Sequence, residues 1–183
     1  YERQEQLSKF ILKRMRELGM EPVLPGYGNI LPSNAAEKMG VNAMEQGNWC
    51  SGFRRPAFLM PTDKRYSEIA QLYYKHLEKV MGKAKFYSMD PFHEGGRTIG
   101  VNLKEAYYTM YSEMLKHSSE AKWVIQAWGS NPRKEALDTI PKGGFIVLDL
   151  YSDGLSKWEA NGYEGHDFLW CMLHNFGGKT GMH

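Results

Sequence analysis

Cys50 and Cys171 are the only two cysteines in 183 residues. So few in a chain of this size make neither a disulfide scaffold nor a zinc module, although the two could pair. An excess of charge of one sign is also missing. Twenty-three lysines and arginines face 21 aspartates and glutamates, a net of +2, and no basic run stands out. That balance gives no argument for nucleic acid or for a membrane surface. No apolar run approaches the ~20 residues of a membrane span. The motifs H-x-H, H-E-x-x-H and C-x-x-C are absent, which removes the common metal signatures. The chain opens at Tyr1 with neither Met nor signal peptide. It reads as a fragment, and its compartment is not legible.

What is present is an ordinary globular composition, 42% hydrophobic and 24% charged, enough for one sizeable core. Leu7, Phe10, Ile11, Met15 and Leu18 recur at helical spacing and predict a helix over 2–18. Ile69, Leu72, Tyr73, Leu77 and Val80 do the same over 66–81. Asn102 with Glu105 makes a capping-box start for a third helix over 102–115. A short helix is expected after Asn131-Pro132. Between these lie strand-like runs at 20–24, 57–60, 85–89, 122–127, 144–150 and 168–173. Residues 144–150 are continuously apolar, as in parallel sheets covered on both faces. Residues 34–46 are ambiguous, and 47–56 read as loop.

Strand, polar or aromatic loop, helix, strand is the signature of βαβ units. Polar groups gather at the carboxyl ends of the strands: Asn29, Glu94, Gln126 with Trp128, Asp149, then His174 and Asn175. That placement predicts the active-site face of a (β/α)8 TIM-type barrel with parallel strands alternating with helices. A full barrel needs eight strands and ~250 residues, so this chain reads as a partial one.

Each candidate has a plain alternative. The loop after Lys85–Met89 carries His93 and Glu94 beside Gly95-Gly96. Glu94, partly desolvated by Phe86, Tyr87 and Phe92, is either a general acid of raised pKa or a solvated loop residue. Gly28 and Tyr27 lie on a glycine-proline loop that either admits a ligand or simply turns. Trp49 is either a sugar platform or a core residue. Two chemistries fit the rim. Glycoside hydrolysis needs two carboxyl groups, Glu94 with Asp90, Asp149 or Asp153 as candidate partners. A metal-assisted hydrolase would use His93, His174 and Cys171, but Cys171 and His174 are three apart and point to opposite faces of a strand.

Five segments carry a resemblance, in order: 22–32 (P-V-L-P-G-Y-G-N-I-L-P), 87–96 (Y-S-M-D-P-F-H-E-G-G), 124–128 (V-I-Q-A-W), 148–153 (L-D-L-Y-S-D) and 168–178 (F-L-W-C-M-L-H-N-F-G-G). Together they resemble the alpha-N-acetylglucosaminidases of glycoside hydrolase family eighty-nine, in a bacterial-type form, and the last segment is very specific. The resemblance runs from about Leu7 to the last residue.

The resemblance implies a retaining exo-hydrolase that removes terminal α-linked N-acetylglucosamine from glycans, with no cofactor and no metal. It implies Glu94 as the acid/base and a sugar pocket drawn from Gly28, Asn29, Trp49, Cys50, His93, Gln126, Trp128, Asp149, Trp170, His174 and Asn175. It puts the nucleophilic glutamate downstream of Asn175–Gly178, beyond His183. The chain would then be a single domain, the central part of a catalytic barrel, lacking its early strands and its C-terminal part. The implied compartment is extracytoplasmic: secreted, periplasmic or lysosomal. The rival reading is a non-catalytic carbohydrate-binding or interaction fragment.

Overall fold

The computed structural model describes residues 1–32, 34–49, 52–93, 96–154 and 156–172. Along the chain run α1 (Glu2–Glu17), β1 (Val23–Pro25), β2 (Ile30–Leu31), α2 (Ala35–Met39), β3 (Ala43–Met44) and β4 (Ala57–Leu59). They are followed by α3 (Tyr66–Met81), β5 (Phe86–Ser88), α4 (Leu103–His117), β6 (Lys122–Gln126) and α5 (Lys134–Thr139). The last elements are β7 (Phe145–Asp149), α6 (Trp158–Asn161), a 3-10 turn (Gly162–Gly165) and β8 (Asp167–Trp170).

The main sheet has the order β1-β5-β6-β7-β8, and every pair in it is parallel. Helices connect successive strands, so the sheet is that of a partial (β/α)8 TIM-type barrel. Among the described residues β1 and β8 each have one strand neighbour, and the barrel is not closed. The second sheet, β2-β4-β3, is antiparallel and sits in the connection between β1 and α3. That places it above the carboxyl end of β1.

Strand alternation sorts the side chains into two faces. Tyr87, Trp123, Ile125, Phe145 and Val147 are essentially inaccessible and belong to the core. Each contributes ~1.5–3 kcal/mol by its burial. Phe86, Val124, Ile146, Leu148 and Leu169 line the opposite face, around a cavity of about 330 Å³. This is the barrel's inner side. Tyr74 of α3 meets Tyr87 edge-on at 5.5 Å, and His117 of α4 stacks on Tyr74 at 5.1 Å. Asn102 caps α4 by accepting the Glu105 N–H at 3.3 Å, as its spacing requires.

Two helical stripes differ from expectation. In α1 Leu12 is the buried residue, while Leu7, Phe10, Ile11 and Leu18 are exposed. Its anchor is polar: Arg16 Nη2 donates to the Met81 and Lys83 carbonyls. In α3 the buried face is Tyr66, Ile69, Ala70 and Tyr74, and Leu72 is exposed. Tyr74 faces Tyr87 of β5, while Tyr66 packs on Tyr27 with ring centres 6.0 Å apart. Among the described residues no helix is long and apolar enough to cross a membrane.

Candidate active site

The carboxyl ends of β1, β5, β6 and β7 share one rim, and the loops that leave them build the site. After β1 the chain crosses close over β5. Gly26 donates to the Ser88 carbonyl at 2.9 Å, and a Cβ at position 26 would come within 2.5 Å of Met89 Cγ. Three residues on, Asn29 adopts φ 64°, a left-handed conformation that asparagine tolerates better than most. Its Nδ2 donates to the Leu59 carbonyl at 3.0 Å, and its Oδ1 accepts the Tyr66 hydroxyl at 2.7 Å. With 0% exposure and both amide atoms engaged, Asn29 ties β4 to α3. The sequence reading expects it in the pocket lining.

After β5 the chain is held at each step. The Trp123 Nε1–H donates to the Met89 carbonyl at 2.7 Å. Asp90 accepts the Gln126 backbone N–H through Oδ1 and the Gln126 side-chain amide through Oδ2, each at 2.8 Å. Asp90 is thereby committed to fixing Gln126, whose side chain lies on the inner face with Val124. Phe92 turns at φ 59° and is buried, its ring 4.6 Å from Phe58 of β4 and 6.0 Å from Tyr107 of α4. A left-handed phenylalanine is uncommon, and this packing holds the turn. His93 follows, half-buried, with its Nε2 buried and without a hydrogen-bond partner among the described residues.

The loop after β6 carries Trp128 between its neighbours. Its ring lies 6.5 Å from His93 and stacks on Tyr151, from the loop after β7, at 5.3 Å. His93, Trp128 and Tyr151 thus form an aromatic row across three strand ends. Tyr151 escaped the sequence reading. It stood in the segment 148–153, but no polar pattern separated it from its neighbours.

The small antiparallel sheet and the hairpin beyond β3 close the other side. Gly28, Gln46, Trp49, Arg55, Phe58, Asp90, His93 and Gly96 line one cavity of about 120 Å³. Trp49 is 41% exposed, and the Arg55 guanidinium lies 4.0 Å over its ring. Gly28, Trp49 and His93 are thereby brought together, with Gln126 joined through Asp90 and Trp128 through His93. Gln46 and Arg55 were not foreseen, because 34–56 showed no periodicity that would fix their direction.

Asp149 and Trp170 go elsewhere. They pair in register with each other on β7 and β8 and lie on the helix-facing side, with Val147 and Phe168, while Leu148 and Leu169 face inward. Asp149 is inaccessible, and its Oδ2 accepts the Lys157 and Trp158 N–H groups at 3.0 and 2.9 Å. It holds the start of α6, where the sequence reading expects a sugar contact. Burial first, then the nearby Asp149 charge, push the Tyr163 phenol and the Cys171 thiol above their ordinary values. Trp170, 55% exposed, lies on the outer side of β8, away from the cavity. Asp153, the third candidate partner for Glu94, sits in the turn that follows Tyr151.

Cys50, Glu94, His174 and Asn175 lie outside the described residues. Cys171 is free. Among the described residues no three His, Cys, Asp or Glu side chains gather closely enough to hold a metal ion.

Residues 1–183 match the family model of the alpha-N-acetylglucosaminidase (NAGLU) tim-barrel domain. The chain is 30% identical over 189 residues to the alpha-N-acetylglucosaminidase of Homo sapiens, covering 94% of this chain and 25% of that protein. It therefore spans about a quarter of this curated relative. Among solved structures it is similar to a family 89 glycoside hydrolase from Clostridium perfringens in complex with 2-acetamido-1,2-dideoxynojirmycin. The TM-score is 0.90 at 34% identity, over 97% of this chain and 21% of that one. A form of the Clostridium enzyme with two glutamates replaced by glutamine, in complex with its substrate GlcNAc-alpha-1,4-galactose, gives the same TM-score and identity over 100% of this chain and 21% of that one.

Proposed function

Because the chain belongs to the alpha-N-acetylglucosaminidase tim-barrel domain family, we propose that its protein is a glycoside hydrolase removing terminal α-linked N-acetylglucosamine from glycans. The mechanism we propose is a retaining double displacement with Glu94 as general acid/base. The observation that carries the reading is the rim itself. Gly28, Trp49 and His93 line one cavity beside Gln126 and Trp128, at the carboxyl ends of parallel strands. A pyranose has apolar C–H faces and polar edges, and aromatic rings beside amide groups suit both.

In the first step Glu94 gives its proton to the glycosidic oxygen as the bond from C1 to that oxygen breaks. A second carboxylate, supplied by residues beyond His183, attacks C1 from the opposite face and forms a glycosyl ester. In the second step Glu94, now ionised, takes a proton from water, which opens the ester and regenerates both groups. Two replaced glutamates in the Clostridium substrate complex support a carboxylate pair of this kind.

The test is the stereochemistry of hydrolysis. The full-length protein should release N-acetylglucosamine from an aryl α-N-acetylglucosaminide, with the α-anomer first in proton NMR. No release, or the β-anomer first, would overturn the reading.

A further inference from the structure

The described residues on either side of Glu94 in the sequence, His93 and Gly96-Arg97, are all held by one hairpin. At the near end the Arg55 Nη1 donates to the His93 carbonyl at 3.4 Å, and the same carbonyl accepts the Gly96 N–H at 3.0 Å. At the far end the Gln46 Oε1 accepts the Arg97 N–H at 2.9 Å. Gln46 and Arg55 flank the same hairpin, closed by the Arg55 N–H on the Gly47 carbonyl at 2.8 Å and the Trp49 N–H on the Phe53 carbonyl at 2.8 Å.

Gly96 makes this approach possible. A Cβ on Gly96 would sit 2.9 Å from Phe92 Cα and 3.1 Å from Gln46 Oε1, so a larger residue there would wedge the loop off the hairpin. Gly47, at φ +75°, turns its bare Cα toward the Arg97 guanidinium, the nearest nitrogen 3.6 Å from where a Cβ would be.

We propose that Gln46 and Arg55 are positioning residues that clamp the loop after β5 on both sides of Glu94. Arg55 also links this clamp to the sugar site, because its guanidinium covers one face of Trp49. Its Nε donates to the Asn48 carbonyl at 3.3 Å while Nη1 reaches His93. Substrate stacked on the open face of Trp49 would be felt at the loop through that one side chain. Lysine keeps the charge but lacks the planar fork that serves ring and carbonyls together. The proposal rests on the reading of Glu94 as acid/base.

The experiment uses the full-length protein with Gln46→Leu, Gly96→Ala and Arg55→Lys, beside Glu94→Gln. Amide hydrogen exchange reads the clamp directly. The Arg97 amide should lose protection in Gln46→Leu and keep it in Gln46→Glu, which retains the acceptor, while amides within α4 stay as in wild type. Kinetics read the consequence. A displaced acid lowers the rate of the protonated step, so Gln46→Leu should lose about 10–100-fold in kcat with KM changed less than about threefold. That loss should be larger on a poor leaving group than on an activated aryl one. Unchanged Arg97 exchange in Gln46→Leu would overturn the clamp, and raised exchange with normal kcat would overturn its positioning role. A silent Glu94→Gln would instead remove the acid/base reading, and Arg97 exchange would then decide the clamp by itself. If Gly96→Ala does not fold, Gln46→Leu and Arg55→Lys carry the test.

Discussion

Removing the Asp90 carboxylate should loosen the rim by an amount that the geometry sets. Its two oxygens take two N–H groups of Gln126, both at 2.8 Å. Hydrogen bonds to a charged acceptor are worth about 1.5–3 kcal/mol each. Both residues are only half-buried, so solvent screening brings each down to about 1 kcal/mol. Asp90→Ala should then destabilise the domain by about 2 kcal/mol. Gln126→Ala deletes the side-chain bond and keeps the backbone one, so a double-mutant cycle isolates the former. Its coupling energy should be about 1 kcal/mol, read by urea denaturation with equal m-values. The activity readout follows from the same bond. Without Asp90 the Gln126 amide is free to rotate, so Asp90→Ala and Gln126→Ala should lose similar amounts of kcat/KM, and the double variant little more than either. A coupling below about 0.3 kcal/mol, the range of independent sites, would refute this account of how Gln126 is held.

The remaining predictions concern the frame of the site. Trp123→Phe should cost about 1–3 kcal/mol in urea denaturation, because it leaves the Met89 carbonyl without its donor where β5 enters the loop that follows it. A cost under about 0.5 kcal/mol would mean that the carbonyl finds another partner. Burial and the Asp149 charge hold the Cys171 thiol pKa up, so at a given pH less of it is thiolate. Iodoacetamide at pH 8 should therefore label Cys171 more slowly than a cysteine peptide, the rate still climbing where the peptide's has levelled off. Labelling at the peptide's rate would refute the shift.

The parts of the fold that the sequence made legible are those with a strong local signal. Residues 66–81 showed helix α3 between clear ends though not which face it buries, and the Asn102–Glu105 cap marked the start of α4. The parallel strands were readable from apolar runs bounded by turn residues. Of the antiparallel β2-β4-β3 sheet only β4 was readable, in the run at 57–60, because its two-residue neighbours have no period to detect. The periodicity of α1 announced a helix without saying what its apolar face meets.

The site was legible as a set of strand ends rather than as a set of side-chain directions. A continuously apolar run such as Phe145–Leu148 hides which face is inward, and Asp149 inherits that ambiguity. Its alternation with Val147 turns it toward the helices. Asn29 misled for another reason. A polar residue beside glycines looks like a ligand contact, and only the Leu59 carbonyl and Tyr66 hydroxyl, some thirty residues away, reveal it as a strut. Gln46 and Arg55 act through distant backbone groups, a relation no local pattern encodes.

The central claim is the proposed role of Glu94, and Glu94→Gln in the full-length protein tests it most directly. The variant keeps the side chain's shape and removes its transferable proton. With an alkyl or sugar leaving group the rate should fall by ~10²–10⁴-fold, the usual worth of general acid–base help. With an activated aryl leaving group, bond cleavage should survive far better, the glycosyl-enzyme should accumulate, and added azide should restore turnover as the glycosyl azide. Equal losses on good and poor leaving groups, without azide rescue, would contradict the account.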